Sequence, residues 1–418
     1  MRGRVHSRPE LRLDRAIRQG RSHNNFDLLR LIAAMLVIGA HSFELTRPKP
    51  EGAPVTFLHE AWGELGVIVF FSISGFLVAR SWAYDPQPLS FCVKRALRLM
   101  PALVLSLLLT ALVLGPLTTT LPLSDYLQHA QTKAYVLHNA TFQFDYVLPG
   151  VFEQDTYFAA VNGSLWTLPL ELKAYCLVLA LGVLGVLGLA GRRRLLMPVV
   201  AIFLALLTIG SVRSAIPLGD RLVGMMHDIQ APPATMAATR AGVFQEPARM
   251  FASFAIGAGL FAVARWIPLR WSVACALAAA WAIIAAVGGA GAVPIATAWL
   301  LPYVVLLVGY RTSHLVRLPQ RLGDYSYGLY IFAFPVQQAI VLWLAPSSGW
   351  VTFALATPIT AALAVASWHF VEAPALTLKQ RIREPLERAG VAAVAHPLQR
   401  AALQPDGATS PLEAVDRR

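Results

Sequence analysis

The sequence predicts an all-α polytopic membrane protein, a helical bundle of about ten transmembrane helices. Of the 418 residues, 56% are hydrophobic and only 14% charged, where soluble globular chains carry about 25% charged residues. The mean hydropathy is +0.56, and apolar stretches of crossing length recur along the chain.

In chain order the spans are predicted at 28–43, 65–83, 101–121, 165–189, 196–212, 250–264, 271–287, 293–310, 325–345 and 350–370. At 1.5 Å per residue, each is close to the length that crosses roughly 30 Å of hydrocarbon. The first is full length and has no small-residue cleavage pattern behind it, so it is expected to stay as a span.

Charge placement is an independent check. Arg2, Arg4, Arg8, Arg12, Arg15, Arg18 and Arg21 precede the first span, and Lys94, Arg95 and Arg98 follow the second. Arg192, Arg193 and Arg194 follow the fourth, Arg265 and Arg270 the sixth, Arg311, Arg317 and Arg321 the eighth, and Lys379, Arg381 and Arg383 the tenth. The loop after the third span instead holds Asp125, Asp145, Glu153 and Asp155 against Lys133. Short cytoplasmic loops collect Lys and Arg, so both termini are expected in the cytoplasm. The net charge of +12 is then mostly topology, and no nucleic-acid partner is expected. The basic N-terminal tail also suits anionic membrane lipid.

The organisation expected is a basic tail at 1–25, a membrane domain at 26–374 and a C-terminal tail at 375–418. No internal repeat, phosphate-binding glycine loop, dinucleotide fingerprint or HExxH motif is present. Cys92, Cys176 and Cys275 are too scattered for a metal knuckle and are expected to be packing residues. Neither a metal nor a permanently bound cofactor is expected. The loops at 122–163 and 213–246 are long enough to cover an acceptor site. The aromatics of the first suit stacking on sugar rings and suit an interfacial belt equally.

Ionisable groups inside spans mark functional sites by default. Arg30 and His41 are eleven residues apart on the first span, hence on one face and about 16 Å apart. Arg30 either meets an anionic donor or pairs with Asp27, and His41 is either an interfacial residue or a base. Glu171, five residues beyond Trp166, is expected at the depth of His41, where a carboxylate would hold an imidazole in its tautomer. Lys94, Arg95 and Arg98 share one turn of an interfacial helix expected to end at Pro101. They serve as a positive-inside signal or hold phosphates. Ser72, Ser74 and Gly75 in FFSISGF allow close helix packing or a narrow passage.

Six segments carry a family resemblance: NNFDLLRLIAAMLVIGAH, GVIVFFSISGFLVARSW, KRALRLMP, SLWTLPLELKAY, LGDYSYGLYIFAFPV and SWHFVEAP. In this order and spacing the chain resembles acyltransferase family 3, the integral membrane O-acyltransferases that include O-antigen and exopolysaccharide acetylases. Two departures stand out: Thr167 replaces a common Ser, and Ala333-Phe334 stand where a His often precedes the proline.

The resemblance implies a bacterial inner-membrane enzyme. It would transfer an acyl group from cytoplasmic acyl-CoA, commonly acetyl-CoA as co-substrate, to a saccharide or glycoconjugate hydroxyl on the outer side. It implies His41 and Glu171 as catalytic and Arg30, Lys94, Arg95 and Arg98 as donor-binding residues. Asp27, Ser74, Trp166, Tyr175, Tyr327 and Glu372 would support them. The rival readings are a transporter or flippase using the same charges, and an acyltransferase acting on a lipid or small-molecule hydroxyl.

Overall fold

The computed structural model describes residues 11–19, 24–46, 56–57, 60–143, 145–153, 160–185, 233–287, 292–313 and 323–378. The expected span at 196–212, most of the loop at 213–246, the arginines at 192–194 and the ends of both tails lie outside the described residues.

The described residues are predominantly helical, and the strands among them are one small antiparallel pair, β1 (Thr56–Phe57) with β2 (Glu60–Ala61). A short α1 (Leu13–Arg18) is followed by α2 (Phe26–Leu45), α3 (Trp62–Tyr84) and α4 (Pro88–Leu109). A π turn (Thr110–Leu114) carries α4 into α5 (Gly115–Thr118), and α6 (Leu123–Gln128) and α7 (Ala130–Ala140) follow. A 3₁₀ turn (Gly163–Thr167) opens α8 (Leu168–Val183). Next come α9 (Pro233–Ala262), α10 (Trp271–Val287), α11 (Ala292–Arg311), α12 (Ser326–Leu344) and α13 (Gly349–Ser367), the last extended by a π turn (Trp368–Glu372).

Seven helical runs among the described residues have the length and apolarity to cross a bilayer: Phe26–Leu45, Trp62–Tyr84, Pro88–Thr118, Gly163–Val183, Ala292–Arg311, Ser326–Leu344 and Gly349–Leu378. The expected span at 271–287 is the shorter apolar helix α10, and the one at 250–264 is the second half of α9. The chain is therefore a polytopic all-α membrane bundle.

Three local expectations are corrected. Pro101 does not end a helix, because α4 runs straight through it. A spanning helix tolerates the lost ladder bond when neighbours supply other partners. Lys94, Arg95 and Arg98 therefore ride on the spanning helix itself. Three of the loop aromatics are not free for a sugar or an interface: Tyr126, Tyr135 and Phe152 are buried in the main core cluster, and Tyr126 donates to the Ala111 carbonyl at 2.8 Å. Cys92, Cys176 and Cys275 are exposed on the bundle surface instead of packed inside it.

Part of the N-terminal tail is also ordered onto the bundle. Leu13, Ala16 and Ile17 of α1 are buried, and Leu13 N–H donates to the Ile267 carbonyl at 3.0 Å.

α3 sits at the centre. A Cβ on Gly75 would lie 1.9 Å from the Phe254 carbonyl oxygen of α9, and one on Gly257 would lie 2.2 Å from the Ser72 carbonyl oxygen. The two backbones thus pack directly, as small residues permit in membranes. Of the two readings open for Gly75, close packing is the one observed, and it leaves the opposite side of α3, with Ser74, facing a cavity.

Candidate active site

The cavity has a volume of about 940 Å³. α2 contributes Arg30, α3 contributes Ser74 and Arg80, and α4 contributes Lys94, Arg95 and Arg98. Glu171 and Tyr175 of α8, Asp324 just before α12, and Tyr327 and Tyr330 of α12 complete its polar lining. Eight of the residues expected from sequence therefore meet in one space: Arg30, Ser74, Lys94, Arg95, Arg98, Glu171, Tyr175 and Tyr327.

The cations divide into paired and unpaired. Asp324 Oδ2 accepts from Arg98 Nη2 at 2.6 Å and from Arg30 Nη1 at 3.1 Å, and Arg98 Nη1 is 3.9 Å from Glu372. Lys94 is ion-paired with Asp85, which also accepts from Ser90 Oγ at 2.6 Å. Arg95 has no carboxylate partner among the described residues. Its guanidinium lies 5.5 Å over the Tyr175 ring and 5.8 Å over Phe91, and its buried Nε has no hydrogen-bond partner. Spacing explains the difference: residues 95 and 98 are neighbours on one helix face, but only Arg98 reaches the segment before α12.

Burial by itself would push the Asp324 carboxyl up. Arg98, Arg30 and hydrogen bonds from Ser326 outweigh it and hold the group down at about 2.

The carboxylate of Glu171 has its own partners. Tyr175 Oη donates to it, and Ser74 Oγ donates at 3.3 Å. Tyr327 Oη donates to the Leu99 carbonyl at 3.0 Å, and Arg98 lies 5.6 Å over the Tyr327 ring. Glu372 is buried in the π turn after α13 and accepts from Ser367 Oγ at 2.8 Å. Asp27 is exposed, with its carboxylate 3.5 Å from Arg30, so the Asp27 pairing exists beside the stronger one to Asp324. Trp166 is half-buried in the 3₁₀ turn and does not line the cavity.

The expected meeting of His41 with Glu171 is not formed. His41 is absent from the cavity wall, its ring is packed edge-on against Phe334 at 5.1 Å, and its buried Nδ1 has no hydrogen-bond partner. Between them lies a polar partition: Tyr330 Oη meets the Ser164 carbonyl at 3.0 Å and Thr167 Oγ1 at 2.8 Å. Phe334 is one helical turn beyond Tyr330, about 6 Å along α12, which puts His41 just past this partition. The physical reason is the 3₁₀ turn. It holds 163–167 against α12, so α8 begins only at Leu168 and Glu171 falls on the cavity side.

Four site residues were missed from sequence: Arg80, Asp85, Asp324 and Tyr330. Asp324 was visible as the one acid of LGDYSYGLY, directly ahead of a span and close to basic loops. The remaining buried cation of note, Arg249, lies at the opposite end of α3 and is held at 2.7 Å by both Glu64 and Glu246.

The model of a family described as an acyltransferase domain matches residues 23–369, so the chain belongs to that family. It is 28% identical over 359 residues to the O-acetyl transferase of Shigella phage Sf6, covering 85% of this chain and 96% of that protein. It is 29% identical over 376 residues to Nodulation protein 10 of Rhizobium leguminosarum bv. viciae, covering 85% and 94% respectively. No solved structure matches the chain at a significant level. The fold and the family together define an integral membrane acyltransferase, and the matched segment contains His41 and all of the polar cavity lining named above.

Proposed function

We propose that the chain is an O-acyltransferase that takes an acyl group, commonly acetyl, from acyl-CoA at the cytoplasmic face and passes it to a saccharide or glycoconjugate hydroxyl presented from the other side. The observation that carries this reading is Arg95, a cavity cation with no acid of its own, placed on the same wall as the Ser74, Glu171 and Tyr175 cluster. A guanidinium with unspent donors suits phosphate. Arg30, Arg80, Lys94, Arg95 and Arg98 gather at one end of the bundle, which supports a cytoplasmic mouth and cytoplasmic termini in the inner membrane.

With the phosphates at Arg95, the pantetheine arm runs up the cavity and the thioester reaches the Thr167–Tyr330 partition. His41, just beyond, acts as general base. It takes the proton of the acceptor hydroxyl as the oxygen bonds to the thioester carbonyl carbon, the carbon–sulfur bond breaks, and the thiolate leaves and is protonated. The apolar packing of His41 on Phe334 keeps the ring fixed. Glu171 serves the donor side through Tyr175 and Ser74.

The reading is tested by incubating purified protein with acetyl-CoA and candidate saccharides. Thiol release equal to acylated product supports it. Movement of a saccharide across proteoliposomes without thiol release contradicts it and favours a transporter.

A further inference from the structure

We propose that Arg80, in the last turn of α3, binds the ribose phosphate of the coenzyme A donor, the phosphate farthest from the thioester. This assignment rests on the donor reading above and adds a residue to it.

Five cations line the cavity, and the acids beside them account for three. Arg30 and Arg98 share Asp324, and Lys94 has Asp85. Arg80 and Arg95 have no carboxylate within ion-pair distance among the described residues. Each is braced on an aromatic ring instead, Arg80 at 5.4 Å over Tyr84 and Arg95 at 5.5 Å over Tyr175. A guanidinium seated on a ring face is held in place while the N–H donors in its plane remain available. Asp85 does not cancel Arg80, because its charge is already met by Lys94 and Ser90.

Depth orders the two free cations. Arg95 lies between the ring of Tyr175, whose hydroxyl is 3.4 Å from Ser74 Oγ, and the ring of Phe91. Arg80 instead reaches over Tyr84, the last residue of α3, nearer the rim where the chain turns into α4. A CoA thioester presents its phosphates in the same order, the diphosphate nearer the thioester and the ribose phosphate beyond it. With the thioester toward Tyr330, the diphosphate meets Arg95 and the ribose phosphate meets Arg80.

The experiment compares binding of acetyl-CoA and of its analogue lacking the ribose 3′-phosphate to the purified full chain by titration calorimetry in detergent. The wild type is expected to prefer acetyl-CoA by roughly tenfold to a hundredfold, the value of a charge-assisted phosphate contact. Arg80→Gln is expected to bind both compounds with nearly equal affinity, close to that of the wild type for the analogue, which also shows that the variant is folded. Arg80→Lys, which keeps the charge, is expected to retain part of the preference, and Arg95→Gln to retain the preference while binding both more weakly. A wild-type preference that survives unchanged in Arg80→Gln overturns the assignment alone. A wild type that binds neither thioester overturns the donor reading and the assignment with it.

Discussion

Asp324 Oδ2 stands 2.6 Å from Arg98 Nη2. The same oxygen takes Arg30 at 3.1 Å, so a single carboxylate ties α2, α4 and the entrance of α12 together. Arg30, expected to meet an anionic donor or pair with Asp27, and Arg98, expected to hold phosphates or mark topology, are thereby engaged in holding the cavity's frame. The consequences for stability and for donor binding differ and can be measured separately.

Asp324→Asn removes the shared partner of two half-buried cations, and breaking a buried pair costs about 3–5 kcal/mol. The melting temperature of the purified protein is expected to fall at neutral pH. Because the folded carboxyl is held at about 2, below the ordinary value of about 3.9, its contribution is complete above about pH 4. It is lost as the pH falls from there toward 2. Thermal melts across that window are expected to steepen in the wild type and to flatten in the variant.

Arg95→Gln and Arg98→Gln are expected to separate. Arg95 carries no ion pair that the fold needs, so its loss should raise the donor KM roughly tenfold to a hundredfold with a smaller change in kcat. Arg98→Gln leaves Asp324 with Arg30 and Ser326 and leaves Glu372 with Ser367 alone, and its first effect should be on thermal stability. Steady-state kinetics with a melting curve for each variant checks the contrast, and the reverse pattern would exchange their roles.

Glu171→Gln keeps the size of the side chain but weakens its hold on Tyr175 and Ser74. Donor KM is expected to rise by about tenfold, in line with a hydrogen bond to a charged group, with Tyr175→Phe showing the same direction. The pH dependence of kcat should not move. A displaced acidic limb in Glu171→Gln would mean that the carboxylate acts on His41 after all.

His41→Ala should lower turnover by about 10²–10⁴, the range of general-base contributions. Binding of acetyl-CoA is expected to persist, because His41 stands outside the cavity wall. An active His41→Ala variant would remove the imidazole from the chemistry. Acylated His41 peptide in a donor-only sample would replace general-base transfer with a covalent route.

Gly75→Ala would drive a methyl group into the Phe254 carbonyl. Overpacking costs about 1–3 kcal/mol even where side chains can yield, and here backbone must move. Loss of the folded detergent-soluble fraction is expected, and a stable Gly75→Ala protein would show that α3 and α9 are not in direct contact.

Much of this arrangement was readable in the residues. Arg30 and Glu171 were named for carrying charge into an apolar span, where desolvation cost makes such residues stand out; Arg95 and Arg98 came from a basic turn, Ser74 from a small-residue segment, and Tyr175 and Tyr327 from the family resemblance alone. What could not be read was which of them face each other. Residue counting placed Glu171 near the depth of His41, but it carries no information on helix rotation or on the 3₁₀ turn that delays the start of α8. Asp324 went unassigned because an acid beside a basic loop looks like ordinary surface charge until the opposing arginines are folded onto it. Pro101 misled for a related reason: proline ends helices in water more readily than inside a bundle, where neighbouring helices supply partners.

The most direct measurement is a density map of the protein with acetyl-CoA bound. The account predicts the diphosphate against Arg95 and the thioester at the Thr167–Tyr330 end of the cavity, one turn short of His41. Phosphates found at the other end, beside Arg249, or a donor lying outside the space between α3, α4, α8 and α12, would contradict it.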